Sequence, residues 1–232
     1  MLLGLHHLDV RLIFRVIAMS NIKALLSFLL EQNSPSGKYV LYWDCDGVLA
    51  DFEAAINSNS SFLEQDAKLA QMAKDIFGKE VNREELKPML AGFHREPQLK
   101  ALKRLFNVVQ DKLYDYAKRE GFFLNLKPMP GAKRMFETAN SMVSEKPKIL
   151  SAPVDSLFCE PEKRQWVARH FGMPDEDVII EHDKEIYAAP NHILIDDRKN
   201  NISKWLAAGG IGILHTSPDD TIKQLEEILL ND

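Results

Sequence analysis

Apolar positions over residues 22–30 recur at helical spacing, and Ser34, Pro35, Ser36 and Gly37 break that pattern before a short apolar run at 39–43. The run reads as a strand that ends on Asp44. Between 61 and 120 the pattern is helical. Asn82 and Glu85 have the spacing of a capping box, and Leu99, Leu102, Phe106, Val109, Leu113 and Tyr116 fall on one helical stripe. Gly121 is a natural stop for that helix. After Gly131 short strands at 148–150, 178–180, 192–195 and 211–214 alternate with helices, among them 160–171 with Gly172 behind it. A last helix starts with Pro218 in its first position and Ser217 as its cap.

Short apolar strands alternating with helices predict an α/β fold, a Rossmann-like parallel sheet with helices on both faces. The strandless block at 57–120 reads as a small helical cap inserted into a catalytic core formed by 38–56 and 121–232. Residues 1–37 form a partly helical N-terminal segment. The sequence shows no internal repeat or low-complexity tract.

Composition narrows the class. At 232 residues, 45% hydrophobic and 27% charged, the chain has the balance of a water-soluble globular protein long enough to bury a core without staples. A net charge of −5 argues against a broad surface for DNA or RNA and leaves room for a single nucleotide in a pocket. Cys45 and Cys159 are far apart and form no C-x-x-C pair, which points to a reducing compartment, the cytoplasm. Residues 1–19 are apolar, but Asp9, Arg11 and Arg15 interrupt any signal core, so the chain is read as non-secretory and without a membrane partner. Met19, followed by Ser-Asn-Ile-Lys, is a second plausible start, leaving 1–18 as either an upstream extension or a loose helix. A homodimer is left open.

The strongest chemical signal is Asp44-Cys45-Asp46-Gly47-Val48-Leu49-Ala50-Asp51, where a buried strand runs out. Ligands of open α/β sheets bind at the carboxyl ends of strands. Two-residue spacing puts Asp44 and Asp46 on one side and Cys45 on the other. Taken alone, a turn explains Asp-x-Asp-Gly equally well. Three further polar signals at later strand ends shift the balance: Ser151, Lys184, and the pair Asp196-Asp197. Each has a bland alternative as a turn, a solvated charge or a helix cap.

The residue types suit phosphoryl transfer. A carboxylate attacks phosphorus directly, which makes Asp44 the candidate nucleophile and splits one hard hydrolysis into two easier steps. Asp46 can serve as acid and then as base. Crowding Asp44, Asp46, Asp196 and a phosphate requires a cation, and Mg²⁺ accepts hard oxygen ligands. Asp44 and Asp196 are expected to bind it through their side chains. The hydroxyl of Ser151 and the ammonium of Lys163 or Lys184 are expected to hold the phosphoryl oxygens. His6, His7 and His170 show no metal-ligand spacing.

These residues, in order, resemble the four motifs of the haloacid dehalogenase superfamily. That resemblance implies nucleophile and acid/base roles for Asp44 and Asp46, with the Asp46 backbone carbonyl also on the metal, so that the expected metal set is Asp44, Asp46, Asp196 and Asp197. A narrower resemblance is to the 5′(3′)-deoxyribonucleotidases, carried by D-C-D-G-V-L-A-D-F at 44–52, G-F-F-L-N-L-K-P-M-P-G-A at 121–132 and E-K-R-Q-W-V at 162–167. D-K at 183–184 and I-L-I-D-D-R at 193–198 extend it. It implies a phosphatase of nucleoside monophosphates, with Lys163 and Lys184 toward the phosphate and Phe52 against the base. Ser151-Ala152-Pro153 stands where that family has Thr-Ser-Pro, and His182 where it has Arg. Phe93, His94, Phe106, Tyr114, Phe122 and Phe123 are either base-pocket walls or core. The rival readings are a phosphatase of another small metabolite, such as a sugar phosphate, and a non-catalytic binding protein on the same fold.

Overall fold

In the computed structural model, residues 39–91 and 97–230 are described; the segment 1–37, with the helix expected over 22–30, and His6, His7, Phe93 and His94 lie outside them. Five parallel strands, β1 (Val40–Trp43), β2 (Lys148–Ser151), β3 (Val178–Ile180), β4 (His192–Asp196) and β5 (Ile211–Leu214), form one sheet in the order β3-β2-β1-β4-β5. The expected strands recur with ends shifted by at most one residue. The register places Trp43 beside Ile149 on one side and Ile195 on the other, so β4 runs one residue and β2 two residues past the end of β1.

Both faces of the sheet are buried, which is why its strands read as continuous apolar runs. Leu41, Trp43, Ile149, Ile193, Ile195 and Ile213 enter one core, and Tyr42, Leu150 and Leu194 enter a second one on the opposite face. Four helices, α1 (Phe52–Asn57), α2 (Ser60–Phe77), α3 (Arg83–Ala91) and α4 (Pro97–Ala117), follow β1 before the chain returns to the sheet. Then come α5 (Ala132–Ser141), α6 (Cys159–Phe171), α7 (Lys199–Ala207) and α8 (Pro218–Leu230). Met135, Phe136 and Ala139 of α5 join the first core, where the Trp43 indole donates to Asn140 Oδ1 at 3.2 Å. Ile202 and Trp205 of α7 close the second.

Local sequence accounts for the helix ends. Glu85 N donates to Asn82 Oδ1 at 2.9 Å while Asn82 N donates to Glu85 Oε2 at 3.3 Å, the reciprocal pair that opens α3. Ser217 Oγ accepts from Asp220 N at 3.2 Å and caps α8. Leu99, Leu102, Phe106, Val109 and Leu113 form the buried stripe of α4, which packs along α2. Tyr116, partly covered, packs against the same core, and buried Ala117 closes the stripe. One expectation needs correction: the helix ends at Ala117, ahead of Gly121, which takes φ +81 in the turn beyond. Among the described residues no helix is long and apolar enough to cross a membrane.

Candidate active site

Asp44 directly follows β1, while Ser151 and Asp196 are the last residues of β2 and β4, so the three meet at the same edge of the sheet. Asp44 N donates to Ile195 O at 2.9 Å, extending the β1–β4 ladder by one bond and fixing the aspartate's backbone. Its Oδ1 accepts from Cys45 N at 2.7 Å and faces Lys184 Nζ at 2.8 Å. Cys45 itself points into the core, as the two-residue alternation predicts. The chain then folds back: Leu49 N and Ala50 N both donate to Cys45 O, at 2.9 and 2.8 Å. Gly47 makes that turn at φ +83, and a Cβ there would lie 2.4 Å from Asp197 Oδ2. No side chain fits both restrictions.

Oxygen atoms of Asp44, Asp196 and Asp197 lie within 4.8 Å of one another. Asp196 is fully buried and heavily bonded. It accepts from Arg198 N at 2.8 Å, from Asn201 Nδ2 at 3.1 and 2.9 Å, and from Lys184 Nζ at 2.6 Å. Lys184, on a 3₁₀ turn (Lys184–Tyr187) after β3, is thus clasped by two carboxylates. Burial pushes the Asp44 carboxyl up to about 6; Asp196 and Asp46 add to the rise and Lys184 opposes it. Asp197 is exposed as a residue, but its carboxyl is partly shielded from water on the cluster side, which pushes it up to about 7, with Asp44 and Asp196 adding. The donor set is hard, anionic and mutually repelling, which fits a divalent cation bound through oxygen.

Asp46 stands apart from that cluster. Its Oδ2 accepts from Lys163 Nζ at 2.7 Å, while its buried Oδ1 has no hydrogen-bond partner among the described residues. Lys163, on α6, also donates to Ser151 Oγ and Ala152 O, each at 2.8 Å, and lies 4.8 Å from the centre of the Phe123 ring. Burial acts to lower its pKa, but the charge and hydrogen bond of Asp46, with Cys45 and Cys159 nearby, together raise it above the usual lysine value, so Lys163 stays cationic. The site therefore holds two buried lysines with different duties: one spans Asp44 and Asp196, the other spans Asp46 and Ser151.

Phe52 opens α1 beside this site, its ring 5.4 Å from Phe122 and 6.3 Å from Phe123. Of the other aromatic candidates, Phe106 is core and Tyr114 is exposed. The His170 ring lies tilted against Trp166, with 4.7 Å between ring centres. A cavity of about 470 Å³ lies alongside rather than at the carboxylates, lined in part by Asp51, Tyr116, Arg119, Phe122 and Lys127. Sequence reasoning missed Asn201, whose only signal is its place in the first turn of α7 behind Asp196, and Glu162, whose acid looks like an ordinary surface charge beside Lys163.

The repulsion has a measurable consequence. Native Asp197 holds its proton more tightly than a free aspartate, so its contribution to stability falls as pH rises from about 4 to about 7. Asp197 is exposed as a residue, so solvent screens much of this repulsion and only part of the shift counts toward stability: Asp197→Asn is expected to raise the melting temperature of the metal-free protein at pH 8 by about 2–4 °C, the shift that ~1 kcal/mol produces in a chain of this size. Scanning calorimetry in chelator checks it, and an unchanged or lower midpoint would show that the carboxylates do not strain the fold.

The family of 5′ nucleotidase, deoxy (pyrimidine), cytosolic type C proteins matches this chain over residues 38–227. The human cytosolic-type 5′(3′)-deoxyribonucleotidase (Homo sapiens) is 30% identical over 67% of this chain and 68% of its own length. The mitochondrial 5′(3′)-deoxyribonucleotidase of Mus musculus is 32% identical over 41% of this chain and 43% of its own. Among solved structures, the L-2-haloacid dehalogenase of Xanthobacter autotrophicus aligns at a TM-score of 0.40 and 14% identity, over 82% of this chain and 83% of that one.

Proposed function

Because the chain belongs to the family of 5′ nucleotidase, deoxy (pyrimidine), cytosolic type C proteins, and is thus a phosphoric monoester hydrolase, we propose that it hydrolyses nucleoside monophosphates through a phosphoaspartate on Asp44. The observation that carries this reading is the division of labour between two aspartates two residues apart. Asp44 faces the metal-suited cluster, and Asp46 keeps one oxygen without a partner among the described residues.

In the first step Asp44 attacks phosphorus while Asp46 gives its proton to the departing nucleoside oxygen. In the second, Asp46 takes a proton from water as that water attacks the phosphoaspartate, releasing phosphate and restoring Asp44. Lys163 and the Ser151 hydroxyl steady the phosphoryl oxygens and hold Asp46 at a fixed distance, and Lys184 fixes Asp44 against Asp196. Asp44 and Asp196, with Asp197 alongside and the Asp46 backbone carbonyl, would hold Mg²⁺, whose bound charge offsets that of the phosphate and the carboxylates. Residues 57–120 act as a cap over the substrate. A cytoplasmic place of action accords with the cytosolic-type relative.

Phosphate release across a panel of nucleoside monophosphates and sugar phosphates tests the substrate class. Deoxypyrimidine monophosphates are expected to be the better substrates, with the base against Phe52. Base–aromatic stacking is worth roughly 1–3 kcal/mol, so Phe52→Ala should lower kcat/KM for nucleotides by about 5- to 150-fold and barely change it for an aryl phosphate. An equal loss on both substrates would assign Phe52 to packing against Phe122. A preference for sugar phosphates would leave the phosphatase and overturn the nucleotidase.

A further inference from the structure

Glu162 is a buried carboxylate with no part in the reaction above. It lies in the first turn of α6, one residue before Lys163, and its two oxygens accept three backbone N–H groups. Gly121 N donates to Oε1 at 2.6 Å, and Phe123 N and Leu124 N donate to Oε2 at 3.0 and 3.3 Å. These residues are the segment by which the chain leaves the helical insertion and returns to the sheet. Phe122 and Phe123 within it pack against Phe52, and the Phe123 ring underlies the Lys163 ammonium.

The segment is also held by contacts of its own: Asn125 Nδ2 donates to Gly121 O at 2.6 Å, the Trp166 indole donates to Leu126 O at 2.8 Å, and Phe122 meets the Tyr116 ring edge-on. Gly121, Phe122 and Asn125 line the cavity of about 470 Å³, so one flank of the return faces open space while the other faces Glu162. Three charge-assisted bonds from one buried acid are a strong, directional tether.

We propose that Glu162 is a positioning residue: it pins residues 121–124 to α6, so that the insertion's return segment and the Lys163 ammonium keep one fixed relation. The proposal rests on the phosphatase reading for the duty of Lys163. Loss of the tether lets Phe123 and the start of α6 drift, moving the ammonium relative to Asp46 and Ser151.

Glu162→Gln keeps the shape and replaces one of the two accepting oxygens with a donor, which leaves part of the N–H set unpaired. In the full chain, amide hydrogen exchange at Gly121, Phe123 and Leu124 is expected to quicken by about tenfold or more while the sheet amides are unaffected. With Mg²⁺ and p-nitrophenyl phosphate, well below the melting temperature, kcat is expected to fall about 10- to 100-fold with little change in KM, because a displaced lysine fails chiefly in the transition state. Glu160→Gln, in the same turn but paired with Arg164 on the surface, serves as a control that changes neither. Wild-type exchange at the three amides, or an undiminished kcat in folded Glu162→Gln, overturns the proposal. If the wild type hydrolyses no phosphate ester, the phosphatase reading falls, and the exchange measurement still decides whether Glu162 is the tether.

Discussion

Asp44→Asn is expected to give a folded protein whose turnover is lower by on the order of 10⁴-fold or more, the scale seen when a nucleophile or its essential partner is removed. The fold should survive because the substitution is nearly isosteric and strands no charge. Lys184 keeps Asp196 at 2.6 Å, and the amide oxygen can still accept from Cys45 N. The chemistry should not survive. A carboxamide oxygen is a poor nucleophile toward phosphorus, and the cluster loses one of its three anionic donors. Phosphate release and circular dichroism measured on one preparation decide the matter. A native spectrum with near-normal turnover would remove Asp44 from the mechanism.

Exhaustive chelation is expected to abolish activity, Mg²⁺ to restore it, and Ca²⁺ to restore it poorly. Ca²⁺ takes longer bonds and more ligands than Mg²⁺, which would misplace a carboxylate that has to serve as both ligand and nucleophile. The same site provides a readout independent of turnover. Binding to the native state alone stabilises by about 2.7 kcal/mol at a metal concentration 100 times Kd. Mg²⁺ should therefore raise the melting temperature of the wild type but not of Asp196→Asn. Full activity after chelation, or equal thermal shifts in both proteins, would contradict a metal on these aspartates.

The sheet was readable because its strands are buried on both faces, so that short runs such as Ile193-Leu194-Ile195 are apolar without a break. Asp44, Ser151, Lys184 and Asp196 were readable for a related reason: polar residues that end such runs stand out. Lys163 was harder, since a lysine inside a helix is usually a solvated charge: the chemistry left it as an alternative to Lys184, and the family resemblance placed both toward the phosphate. Glu162 and Asn201 were hidden, because Glu162 binds backbone amides distant in sequence and Asn201 binds a side chain five residues away across a turn, and no spacing rule encodes such contacts. The end of α4 at Ala117 was misjudged since a glycine marks a turn without saying how far ahead of it the helix has stopped.

The strand order also bears on how the chain is made. β1 pairs with β2 on one side and β4 on the other, yet β4 is the fourth strand to leave the ribosome. Until residues 192–196 emerge, Val-Leu-Tyr-Trp of β1 is an unpaired apolar edge, the kind of surface that invites pairing with other chains. A nascent chain stalled between β3 and β4 should thus aggregate or hold a chaperone. The step that brings β4 into place to cover this edge also delivers Asp196 to Asp44, so the carboxylate cluster forms as β1 is shielded, and the open edge passes to β4 until β5 pairs with it.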